Sequence, residues 1–149
     1  MIAALDRIAK ETERLGYRSD AIVRDYPFSA LTTPGEPTTR RAPLAVFTQT
    51  PPSYRSAAFG AAEVQTNGAE VLVRGFRDLG APLFFVVEAE MVSVWQVYAD
   101  GPPRLIERAS LDALDRLFEA RRGTWNPDSI HRAKSICRFN SAYQLDFVD

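Results

Sequence analysis

Apolar residues open the chain at helical spacing. In "MIAALDRIAKETERLG", Leu5, Ile8 and Leu15 fall on one side of a helical wheel. Asp6, Lys10, Glu13 and Arg14 lie largely opposite, so a helix is expected from Ile2 to Leu15 with Gly16 as its C-cap. "YRSDAIVRDYPFSA" follows, and Ile22, Val23, Tyr26 and Phe28 predict a short strand interrupted by Pro27. "LTTPGEPTTRR" is read as a loop or an irregular edge. "APLAVFTQ" (42–49) and "SAAFGAAEVQ" (56–65) are short apolar runs bounded by turn residues, as buried strands are. After Asn67-Gly68, "AEVLVRGFRDLG" (69–80) places Val71, Leu72, Phe76 and Leu79 at helical spacing, with Gly75 as an interior weak point.

The second half alternates differently. "APLFFVVEAE" (81–90) is a fully apolar strand, and "MVSVWQVYAD" (91–100) alternates, so the two predict a hairpin. "GPPRLIERAS" gives a turn and a short strand. Ser110 is placed as the cap of a helix over 111–123, whose apolar stripe is Leu111, Leu114, Leu117 and Phe118. Asn126-Pro127 opens a last helix, "DSIHRAKSICRF". The expected order is helix, β-meander, helix, strand, hairpin and two helices. That order predicts a single mixed α/β domain, its sheet flanked by helices.

Composition narrows the class. With 149 residues, 46% hydrophobic and 25% charged, the chain suits one ordinary globular domain. It has no apolar run long enough to span a bilayer, and its charged N-terminus is unlike a signal peptide. One cysteine permits no internal disulfide, which fits a cytoplasmic protein, and one Cys with one His cannot close a zinc site. Net charge is −1, so the molecule as a whole does not attract DNA. Of 18 basic residues only Lys10 and Lys134 are lysines. This fits either bidentate phosphate contact or a GC-rich codon supply.

One chemistry is half present. Glu63 and Gln65 alternate onto the same side of a predicted strand end. The helix–meander–helix–strand order resembles the core of the PD-(D/E)XK nucleases. The resemblance implies a second carboxylate on the preceding strand, the pair holding Mg²⁺ and orienting a water for attack on phosphate. Where such domains read Arg-Arg-Ala-Asp, this chain reads "RRAPLAVF", with Pro43 in the Asp position. No carboxylate occurs between Glu36 and Glu63, so only Asp25 or Glu36 remains as an unconventional second acid. A degenerate, non-cutting version of that fold is expected, with a Mg²⁺-dependent endonuclease as the alternative.

A second resemblance spans nearly the whole chain from about Gly16. "LAVFTQTPPSYRSAAFGAAEV", "RDLGAPLFFVVEAEMVSVWQV" and "WNPDSIHRAKSI…YQLDFVD" are similar to the N-terminal region of bacterial N-6 adenine-specific DNA methylases. These serve restriction-modification and phage defence. The resemblance implies a longer polypeptide, DNA and the remaining methylase domains or subunits as partners, and S-adenosylmethionine as the parent enzyme's cofactor. No cofactor is expected in this segment, which lacks both the Gly-rich strand-to-helix loop and the Asn/Asp-Pro-Pro-Tyr/Phe tetrapeptide. A pure subunit-interaction scaffold is a further alternative.

The residues singled out for DNA contact are cations. His131, Lys134 and Arg138 recur at i, i+3 and i+7 on the last helix, and Arg121 and Arg122 end the preceding one. Arg40, Arg41 and Arg55 form a second group by the meander. The competing reading is plain helix-dipole complementation and solvation. Tyr54, Trp95 and Trp125 are candidates for stacking on bases, against core packing for the tryptophans.

Overall fold

The computed structural model describes residues 3–30, 38–65, 68–98 and 101–137. Helix α1 (Ala4–Leu15) forms where the apolar stripe predicts it and buries Ile8, Thr12 and Leu15. It stops at Gly16, whose φ of 112° belongs to the left-handed region. The N–H groups of Gly16 and Tyr17 return to the carbonyls of Glu13 and Thr12 at 3.0 and 3.2 Å.

Strands β1 (Ile22–Ala30), β2 (Thr38–Phe47) and β3 (Ala57–Val64) make the meander. A short helix α2 (Ala69–Arg74) and a 3-10 turn (Arg77–Leu79) carry the chain back to β4 (Leu83–Glu88). Strand β5 (Met91–Gln96) turns directly off β4, and β6 (Arg104–Ser110) follows. The six strands lie in sequence order in one sheet. Every neighbouring pair is antiparallel except β3 and β4, which run parallel from Phe59↔Leu83 to Val64↔Glu88. A 3-10 turn (Leu111–Ala113) leads into α3 (Leu114–Ala120), the one-turn α4 (Arg122–Trp125) and α5 (Pro127–Cys137). The mixed α/β class, with a sheet flanked by helices, is as expected.

Several boundaries differ. Pro27 does not interrupt β1. It pairs with Arg41 in a strand at the sheet edge, where a missing N–H is tolerated. The irregularity falls instead at Asp25, whose φ is 52°, opposite Pro43. Val23 and Tyr26, three apart, pack on the same core, and so do Ala42 and Ala45, so both strands turn over at this level. The helix expected over 69–80 ends at Arg74 and continues only as the 3-10 turn. Ser110 has N-cap backbone angles but makes no side-chain cap bond, and Gly123 lies inside α4 instead of ending a helix. Asn126 does cap α5. Its Oδ1 accepts the Ser129 N–H at 2.9 Å while its Nδ2 donates to the Arg122 carbonyl at 2.7 Å.

Two cores sandwich the sheet. On one face α1, α3, α4 and α5 contribute Ile8, Leu15, Leu114, Leu117, Phe118, Trp125 and Ile130. Trp125 meets Phe59, Phe85 and Phe118 there with ring centroids 5.4 to 6.1 Å apart. It is fully buried, which removes it as a stacking surface for bases. On the other face α2 and the 3-10 turn contribute Val73 and Leu79 against Phe28, Phe47 and Phe84. Trp95 packs on this second core, and its Nε1 donates to Ser93 Oγ at 2.9 Å. No described helix is long and apolar enough to cross a membrane.

Candidate functional site

The end of β3 presents Glu63 and Gln65 to solvent. By alternation with Phe59 and Ala61, Glu63 belongs to the face that carries α1. The ladder between β2 and β3 runs from Phe47↔Ala57 to Leu44↔Ala61, so the pairing stops just before Pro43. Proline has no N–H to continue that ladder. Asp25 stands on β1, beyond β2, which sets its backbone two strand spacings, about 10 Å, from that of β3. Its carbonyl accepts Arg41 Nη1 at 2.9 Å. Glu36 lies outside the described residues.

A third acid escaped the sequence reading. Glu88 pairs with Val64 at the same end of the parallel strands, and its Oε1 is buried without a hydrogen-bond partner. Phe84 and Val86 fix its face as that of the second core, so it stands on the opposite side of the sheet from Glu63. The clue was "VVEAE", an acid closing a fully apolar strand. Among the described residues no group of three or more His, Cys, Asp or Glu is arranged to hold a metal ion.

Most of the cations proposed for phosphate contact are engaged within the chain. Arg121 donates through Nε and Nη2 to Glu107 Oε2 at 3.1 and 2.6 Å and lies 5.8 Å from the Trp125 ring centroid. Arg122 holds Glu119 at 3.1 and 2.9 Å and the Arg14 carbonyl at 3.2 Å. Arg40 donates to the Gly75 carbonyl at 3.2 Å. Arg55 is exposed beside the Tyr54 ring, 5.9 Å from its centroid. His131 is half-buried on α5, and Arg138 lies outside the described residues.

Lys134 departs furthest from expectation. It does not join an exposed basic stripe. Its ammonium turns inward and donates to three backbone carbonyls, those of Tyr54 at 2.9 Å, Ala57 at 2.7 Å and Gly80 at 2.9 Å. One side chain thus ties α5 to the loop before β3, to the start of β3 and to the turn before β4. Burial pushes its pKa down to about 7, while three carbonyl acceptors favour the charged form. The sequence held a clue, since Lys134 stands four residues after Ile130, which is fully buried.

The surrounding backbone explains why the carbonyls converge. Gly80 has φ 88°, and a Cβ there would come within 2.5 Å of the Tyr54 carbonyl oxygen, so the two segments approach closely only with glycine at this turn. Ser56 Oγ accepts the Ser53 N–H at 3.3 Å and donates towards the Ser53 carbonyl at 3.2 Å, while the Thr48 N–H reaches the Ser56 carbonyl at 2.7 Å. Chemically, this is a rigid anchor for a helix and a loop. No family model, curated protein or solved structure matches the chain.

Proposed function

We propose that the chain is a non-catalytic positioning module, with a PD-(D/E)XK-like arrangement of elements, that mounts an adenine-specific DNA methylase of the restriction-modification or phage-defence kind. The methylase identity rests on the sequence resemblance given above. The positioning role rests on one geometric observation: Lys134 fixes the last described helix to three separate backbone carbonyls. A helix held this way keeps one direction relative to the sheet, which suits a mount for an attached or partner catalytic region. The engagement of Arg40, Arg41, Arg121 and Arg122 within the chain favours positioning over broad phosphate contact. S-adenosylmethionine belongs, in this reading, to the methylase region.

Affinity capture from the cells that make the protein tests it. The chain is expected to bring down a polypeptide identified by mass spectrometry as an adenine methylase. Lys134→Met, checked for retained fold by circular dichroism, is expected to lose it. Plasmid nicking by the purified chain with Mg²⁺, abolished by Glu63→Ala, would establish the endonuclease instead.

A further inference from the structure

We propose that Tyr54 and Arg55 form a stacking site for an unpaired nucleobase and its adjoining phosphate. Tyr54 is 62% exposed, the largest exposed aromatic side chain among the described residues. An exposed ring adds little to the core, yet its backbone is fixed from three directions. Lys134 Nζ holds its carbonyl at 2.9 Å. Gly80 packs beneath it so closely that a Cβ would lie 3.1 Å from the Tyr54 Cβ. Ser56 closes the loop through Ser53. The fold therefore fixes the backbone that carries this ring before any ligand arrives, which lowers the ordering cost of binding.

The neighbouring chemistry selects the ligand. The Arg55 guanidinium lies over the Tyr54 ring, 5.9 Å from its centroid, and the ring is otherwise largely exposed, so a flat π-system would stack on it beside or in place of the guanidinium. Arg55 is itself exposed and can meet a phosphate bidentately. A base within a duplex is already stacked on both faces, so this geometry suits single-stranded or extruded bases. The proposal concerns the chain alone and stands whether or not it mounts a methylase.

The test is fluorescence anisotropy of the full chain with a labelled oligothymidylate, against a duplex of the same length, at low and moderate salt. Single strand is expected to bind more tightly than duplex. Tyr54→Ala is expected to weaken it on the order of tenfold or more while Tyr54→Trp retains it. Arg55→Ala is expected to reduce the salt slope by about one counterion. Melting temperature verifies the fold of each variant, since both side chains are exposed. The proposal is overturned if the single strand does not bind at low salt, or if Tyr54→Ala binds like the wild type. It is also overturned if Tyr54→Ala abolishes self-association in sedimentation without altering oligonucleotide binding, which would assign the ring to a protein contact.

Discussion

Replacing Lys134 by methionine keeps an unbranched side chain, one atom shorter, and removes the three N–H donors of the ammonium. The Tyr54 carbonyl lies at the exposed end of the cluster and can be taken over by water, but the Ala57 and Gly80 carbonyls are partly buried. Each buried acceptor left unpaired costs about 1 to 2 kcal/mol, so the variant should lose about 2 to 4 kcal/mol. For a chain of this size that is a fall of about 5 to 15 °C in melting temperature. The pH dependence supplies a second readout. Burial lowers the folded-state pKa to about 7, against about 10.4 for an unfolded lysine. Between those values the unfolded chain holds a proton that the folded chain has released, so unfolding takes up a proton. Wild-type stability relative to Lys134→Met should therefore rise from pH 7 to pH 10 and be lost again as pH falls through 7. Urea unfolding followed by circular dichroism at pH 6, 7, 8.5 and 10 measures both effects. A variant within 0.5 kcal/mol of wild type, or a difference that shrinks between pH 7 and 10, would refute the reasoning.

Gly80→Ala should destabilise by about 2 kcal/mol or more, because φ is 88° and the new Cβ would meet the Tyr54 carbonyl oxygen at 2.5 Å. Urea midpoints measure this, and a change of less than about 0.5 kcal/mol would contradict the close approach. Tyr17 is buried with its hydroxyl donating to the Trp125 carbonyl at 2.8 Å, and burial pushes its phenol well above the usual range. It should stay un-ionised in the folded chain at pH values where exposed tyrosines titrate, as followed at 295 nm. Stability should fall as pH rises above about 10, where only the unfolded chain loses this proton. Tyr17→Phe should cost about 1 to 2 kcal/mol.

The order of elements was legible because each has its own period. Ile8 and Leu15 repeat as a helix face does, and the apolar run from Leu83 to Val87 reads as a strand buried on both sides. The expectation fails at Pro27 for a physical reason. Proline argues against a strand only where an N–H is needed, and edge position is a property of the whole sheet. The helix expected after β3 is longer than the observed one because Phe76 and Leu79 keep helical spacing, yet both pack on the second core from a 3-10 turn and the stretch before it. A periodic signal reports which face is buried more reliably than it reports the backbone that buries it.

Side-chain partners were far less legible. Lys134 meets carbonyls 80, 77 and 54 residues away in sequence, and Arg121 meets Glu107 across a 3-10 turn and the whole of α3. A cation on a predicted helix is assigned to solvent by default, because nothing local reveals where backbone carbonyls will converge. The convergence here follows from Gly80, the one small residue that lets the turn before β4 touch the loop after β2. Pro43 works the same way in reverse. It pairs on neither side, it stands where both β1 and β2 turn over, and it ends the ladder to β3 two residues short of the level of Glu63. The proline that stands in place of the expected carboxylate is thus also unpaired with β3. The end of the β2–β3 pairing and the missing carboxylate thus coincide at one residue, Pro43.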